Sequence, residues 1–249
     1  MPGETSSASS LLIVTQLWDA ALRTVLPTGS GERLQRLMER LPRGRHGLPR
    51  EFVAQNQRER LLAALAECLE EKGYERTTVS AIGKRAGVSK SDFYKQFESK
   101  DACFVAAYDD AVERIRAVVL AACAEREDWA TGVLAALTAL LDLFAAETAQ
   151  TQLVLVEGLR AGRGVYDRYQ VALQSFVPYL TDGAPAPEGG SRPPHATDEA
   201  VVGGIASLLA RRVLAGETKT MPGLLPEIAE FALTPYLGTA EARKVISGA

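Results

Sequence analysis

Apolar positions recur along this chain with a helical period almost from end to end, and almost nothing alternates as a half-buried strand would. Over 52–72, Leu61, Leu65 and Leu69 stand four apart, Leu62 and Ala66 widen the stripe, and Gly73 ends the run. Two short helices are predicted next, one over 79–86 behind a Thr77-Thr78 cap and one over 90–97 behind Ser89. Ser99 opens a long helix near 100–126, with Phe104, Ala107, Tyr108, Ala111 and Ile115 inward and Asp101 at the positive end of the dipole. Further helices are predicted at 129–148, 150–161, 164–181, 198–215 and 222–237, the last kinked or divided by Pro226 and Pro235. TDGAPAPEGGSRPPHAT at 181–197 reads as a mobile loop. Upstream, 11–26 and 31–41 are amphipathic, and PRGRHGLPR at 42–50 breaks the pattern while adding three Arg. The pattern predicts an all-α protein.

Charge changes the picture. Of 249 residues, 28 are Lys or Arg and 31 Asp or Glu, a net −3. Yet 31–100 carry 15 cations against 10 anions, leaving −8 for the remainder. A basic front suits a polyanion, and an uneven scatter of surface charge remains the alternative. Chemistry of other kinds finds little support. Cys68, Cys103 and Cys123 are widely spaced inside apolar helical patterns, as small hydrophobes in a reducing compartment would be. His46 and His195 both lie beside Pro/Gly loops, so no metal set is expected. No nucleophile–base pair, phosphate loop or cofactor motif is legible, and no catalytic residue is expected. The apolar run at 11–26 is too short to span a bilayer and is interrupted by Asp19, so neither export signal nor membrane anchor is read and the protein is expected to be cytoplasmic.

The stretch GKRAGVSKSDFYKQFESK at 83–100 gathers five cations, two Phe and a Tyr. Val79, Ile82 and Ala86 give the first short helix one apolar face, and Gly87 falls where the chain must turn. Phe93 and Phe97, four apart, point the second helix toward the same corner, forming a helix-turn-helix. Its other face then presents Lys90, Ser91, Tyr94 and Lys95, where a recognition helix meets base edges in a major groove. Thr78, Tyr94, Lys95 and Lys100 supply hydroxyls and ammonium groups suited to phosphate. The same corner would also serve as a protein-docking surface.

GYERTTVSAIGKRAGVSKSDFYKQFESKDACF resembles the N-terminal domain of the tetracycline-repressor (TetR) family of transcriptional regulators. Gly73, Tyr74, Thr77, Thr78, Val79, Ile82, Ala86, Gly87, Val88, Ser89, Phe93, Tyr94, Phe97, Ser99, Lys100 and Asp101 match its pattern. Gly83 replaces the usual Ala, Ser91 the usual Gly, Gln96 the usual His or Tyr, and Cys103 the usual Leu. The specific resemblance covers 57–105.

The resemblance implies a helix-turn-helix DNA-binding domain over 51–99, three helices in all, and a helical effector-binding and dimerisation domain over 100–249. It implies a homodimer on a palindromic double-stranded DNA operator, with half-sites about 34–36 Å apart. Helices near 198–215 and 222–237 would form the dimer interface, through Gly203, Gly204, Ala206, Leu208, Leu209, Ala210, Val213, Leu224, Leu225, Ile228 and Phe231, unless they only complete the monomer core. Trp129, Phe144, Glu157, Arg160, Tyr166, Tyr169, Phe176 and Tyr179 would surround a pocket for a small organic effector. Binding there would release DNA, a coupling of roughly 1–3 kcal/mol. The family's tendency is repression, with activation as the alternative. Residues 1–50 form an extension with two amphipathic helices and a basic linker whose Arg43, Arg45 and Arg50 either grip phosphate or only solvate the chain.

Overall fold

The computed structural model describes residues 50–124, 126, 128–160, 163–185 and 193–248. The amphipathic runs at 11–26 and 31–41, Arg43, Arg45 and residues 186–192 of the predicted loop lie outside them. The chain divides into two units, Met1–Asn56 and Gln57–Ala249, and of the first only the opening of one helix is described. Among the described residues all regular structure is helical.

Helix α1 (Arg50–Arg76) breaks at Gly73, whose φ of 70° and ψ of 171° take the chain out of the helix where the sequence placed a stop. Helices α2 (Val79–Ala86) and α3 (Lys90–Gln96) are followed by the long α4 (Lys100–Ala124). Phe104, Ala107, Tyr108, Ala111 and Ile115 of α4 are all buried, as their spacing predicted. Helix α5 (Trp129–Ala146) is capped by the Asp128 side chain, which accepts from the Thr131 N–H. It is apolar and long enough to cross a bilayer by length and composition. Here it packs against α4 and against later segments of the same core.

The predicted helix at 150–161 is three pieces: α6 (Thr148–Gln152), a π-helical turn at Leu153–Glu157, and α7 (Gly158–Arg160). Helix α8 (Arg163–Thr181) packs on α9 (His195–Leu214), which starts one turn earlier than predicted. A 3-10 segment, Thr218–Leu224, leads into α10 (Leu225–Leu237). Pro226 sits in the first turn of α10, where its missing N–H is harmless, and the helix continues past Pro235 undivided. A further helix, α11 (Thr239–Ser247), was not predicted. One hydrophobic cluster runs from Leu61 to Ala242 and joins the short N-terminal helices to the larger bundle.

Candidate nucleic-acid interface and apolar cavity

The α2–α3 corner is built locally. Thr78 caps α2, its Oγ1 accepting the Ala81 N–H at 3.2 Å. Gly87 ends α2 in the left-handed region (φ 65°, ψ 32°), and the Val88 N–H then donates to the Gly83 carbonyl at 2.9 Å. A Cβ on Gly83 would lie 2.8 Å from the Val88 oxygen, so at this turn glycine allows the closest approach. Ser89 caps α3: its Oγ accepts the Asp92 N–H at 3.0 Å and donates to Asp92 Oδ2 at 2.7 Å. Phe93 and Phe97 are buried with ring centroids 5.7 Å apart, and Ile82 and Val88 close the corner. The Arg58 guanidinium lies 4.7 Å from the Phe97 ring centre, and Arg60 donates to the Gly87 carbonyl at 3.3 Å.

With that side inward, Lys90, Ser91, Tyr94 and Lys95 all face solvent, as does Thr78. Tyr94 is 50% exposed, an unusual place for a large ring that also edges onto Phe93. Lys95 reaches back to Asp92 Oδ1 at 2.7 Å, and this ammonium, then the Ser89 hydroxyl, hold the Asp92 carboxyl below its usual range. Not every cation of the stretch is available to a partner. Arg85 is paired with Glu67 at 3.3 Å and with Glu71 on α1.

Lys100 departs most from expectation. Its Nζ donates to the backbone carbonyls of Tyr74 (2.9 Å) and Thr77 (3.1 Å) and lies 3.9 Å from the centre of the Tyr74 ring. The half-buried ammonium braces the chain just after the Gly73 break, where a phosphate contact had been expected. Tyr74 packs edge-on against Phe104 and its hydroxyl donates to Asp101. The Tyr74 N–H donates to Glu157 Oε2 at 3.2 Å, across 83 positions of sequence. Glu157 is buried on the π turn, and its Oε1 has no hydrogen-bond partner among the described residues.

The larger bundle holds a partly open apolar cavity of about 130 Å³, lined from α4, α5, the π turn, α8, α9 and α10. Phe144, Tyr169, Phe176 and Tyr179 are among its lining residues. Trp129, Glu157 and Tyr166 are not. Trp129 instead donates to the Leu180 carbonyl at 2.9 Å and stacks edge-on with Tyr236, while Tyr166 and Arg160 face solvent. Tyr108, read from sequence only as a core residue, lines the cavity, and its buried hydroxyl has no partner among the described residues. Its ring lies against Gly158, where a Cβ would be only 2.7 Å from Tyr108 Cε2. Burial first, then the neighbouring Tyr169 and Asp109, push the Tyr108 hydroxyl well above its usual range, so it stays protonated.

Of the residues expected at a dimer interface, Ala206, Leu209, Ala210, Val213 and Ile228 are buried in the chain's own core. Gly204 packs against the Phe231 ring. Gly203, Leu208, Leu224 and Leu225 are half-buried, and Phe231 is exposed. Among the described residues no three His, Cys, Asp or Glu side chains gather as a metal site requires. Cys103, buried beneath the corner, has its thiol pushed up to about 12 by that burial.

A tight two-helix corner with its second helix exposed and cationic defines a helix-turn-helix protein, the architecture of DNA-binding transcriptional regulators. Residues 61–107 match the family model described as bacterial regulatory proteins, tetR family. The match spans the segment from α1 into α4 that holds the two-helix corner. No curated protein matches the sequence. Among solved structures, the fatty acid degradation regulator FadR from Bacillus halodurans has a TM-score of 0.63 at 16% identity, covering 71% of this chain and 94% of its own. FadR from Bacillus subtilis, solved in complex with stearoyl-CoA, has a TM-score of 0.61 at 15% identity, over 71% of this chain and 98% of that one. A TetR-like transcriptional regulator from Rhodococcus sp. RHA1 has a TM-score of 0.56 at 18% identity, over 75% and 97%. At these identities the likeness is one of fold.

Proposed function

We propose that the chain is a cytoplasmic, ligand-responsive repressor that binds a palindromic operator as a homodimer. The observation that carries DNA recognition is the exposed row Lys90, Ser91, Tyr94 and Lys95 on a helix fixed from behind by Phe93 and Phe97. The partly exposed Gly203, Leu208, Leu224, Leu225 and Phe231 supply the pairing surface. The cavity is the effector site, and a route from it to the DNA-binding domain is on hand. Tyr108 of the wall bears on Gly158, and the adjacent Glu157 holds the Tyr74 N–H. Val154 and Leu155 of the same π turn line the cavity, so a ligand that displaces the turn moves the acceptor on which Tyr74 rests. Turns of this kind recur at functional sites. The hydrocarbon chain of the stearoyl-CoA bound to Bacillus subtilis FadR supports an effector with an apolar part for this fold.

Selection of duplexes from a random library tests the reading: the recovered site is expected to be dyad-symmetric, with half-sites about one helical turn apart and two chains per duplex. On that duplex, Tyr94→Ala is expected to weaken binding roughly tenfold with helicity unchanged. Lys95→Ala is expected to lower the slope of log affinity against log salt by about one. A variant that binds like the parent shows that its side chain makes no DNA contact.

A further inference from the structure

Ile115 and Phe144 line the apolar cavity and also a second space, a groove of about 370 Å³ where α1 meets α4, the end of α5 and α6. Its size falls within the range of small-molecule sites, roughly 300–1,000 Å³. Alanines make the room. Ala63 and Ala66 of α1 line it together with Ala107 and Ala111 of α4, spaced three and four apart so that each pair holds one helical face. Ala66, Ala107 and Ala111 are buried, as are Ile115, Phe144 and Leu153, so the floor is apolar. The rim is charged. Three carboxylates, those of Glu59, Asp110 and Glu147, stand there against one guanidinium, that of Arg114, an excess of two negative charges. Arg114 pairs with Glu147, so its charge is already matched within the groove. Acidic side chains alone would be an ordinary solvated surface; here they border an apolar floor that a hydrocarbon would remove from water. A molecule with an apolar part and a positive part fits both, whereas an anion would meet like charge at the rim.

We infer that this groove binds a small organic cation, a hydrocarbon body ending in an ammonium group, with the body on the alanine-lined floor and the ammonium among Glu59, Asp110 and Glu147. The site is distinct from the cavity, and the inference does not depend on the cavity being the effector site. The hydrocarbon supplies affinity by leaving water. The ammonium supplies selectivity, because a cation gains at this rim what an anion loses. An occupant would rest on α1, where the sequence neighbours of Glu59 brace the α2–α3 corner: Arg58 at the Phe97 ring and Arg60 at the Gly87 carbonyl.

The test is calorimetric titration of the full chain, without DNA, at neutral pH and low ionic strength, with three probes of similar size: phenethylamine, phenethyl alcohol and phenylacetate. Phenethylamine is expected to bind saturably and about five- to tenfold tighter than the alcohol, the worth of one or two partly exposed ion pairs, and phenylacetate not measurably. Added salt should shrink the preference for the amine. Glu59→Gln combined with Asp110→Asn changes two exposed positions and keeps their shapes; this variant should bind amine and alcohol equally. Ala63→Leu, which puts a larger side chain into the groove from an exposed point on α1, should weaken both. None of these three positions lines the apolar cavity, so an amine held there would not respond to the changes. The inference is overturned if phenylacetate binds as tightly as the amine, if the double variant keeps the amine preference, if Ala63→Leu changes neither affinity, or if the amine does not bind.

Discussion

Phe93→Ala is expected to destabilise the protein by roughly 3–5 kcal/mol, the usual cost of emptying a fully buried aromatic site. Phe93 is 0% exposed and its ring meets both Tyr94 and Phe97, at 5.5 Å and 5.7 Å between centroids. Few contacts could replace it, because α3 has only seven residues and Phe93 is its one buried side chain. An isolated helix of that length has no stability of its own, so its position is set by this ring and by the Phe97 that follows it. Loss of the ring should therefore also loosen the surface that carries Lys90, Ser91, Tyr94 and Lys95. Urea denaturation should show a lower midpoint with an unchanged slope, and duplex affinity should fall by more than for Tyr94→Ala. Tyr94→Ala, which removes an exposed ring, should leave the midpoint nearly unmoved. A Phe93→Ala shift below about 1 kcal/mol would mean that the corner is held elsewhere.

The same local logic explains what could be read from the sequence. Arg58 and Arg60 of α1 reach into the α2–α3 corner from farther along the chain. Most of what builds it acts within five residues: the Thr78 and Ser89 caps, the Gly87 turn, the Gly83–Val88 hydrogen bond and the Phe93–Phe97 pair. Periodicity and cap chemistry report contacts at that range. Tyr169, Phe176 and Tyr179 lie along one stripe of α8, so their joint arrival at the cavity follows from helical spacing. Tyr166 continues that stripe by three residues but stands near the start of α8, where it is exposed and off the wall. Spacing gives a face and not how far along it a cavity extends.

Glu157 was misplaced for another reason. A π turn holds an extra residue per turn and rotates everything after it, and nothing in LVLVE announces one. The carboxylate therefore faces Tyr74 and not the cavity. Helices α9 and α10 show a third limit. Their apolar residues are plentiful enough to serve two faces, and composition does not say which of Leu208 and Leu209 turns inward. The structure buries Leu209 and leaves Leu208 at the edge. The end of α1 is a fourth case, since a lysine's charge is legible in sequence while the direction of its ammonium is not.

That last case yields the second large effect. Lys100→Met is expected to destabilise the domain by about 1.5–3 kcal/mol, the scale of hydrogen bonds donated by a charged group. Methionine keeps most of the aliphatic stem against the Tyr74 ring, so the loss isolates the ammonium and its bonds to the Tyr74 and Thr77 carbonyls. Those carbonyls lie at the junction that α1, α2 and α4 share, and Thr77 itself ties back to the Cys68 and Gly73 carbonyls through its hydroxyl. Loosening the junction should weaken duplex binding by misplacing α2 and α3. It should not alter the number of phosphates neutralised, because this ammonium is spent on backbone oxygens. The two roles separate in one experiment. Lys100→Met should lower the denaturation midpoint and leave the salt slope as in the parent, whereas Lys95→Ala should lower the slope by about one and leave the midpoint alone. A Lys100→Met protein with parental stability and a reduced slope would return Lys100 to the phosphate contacts and deny it the bracing role.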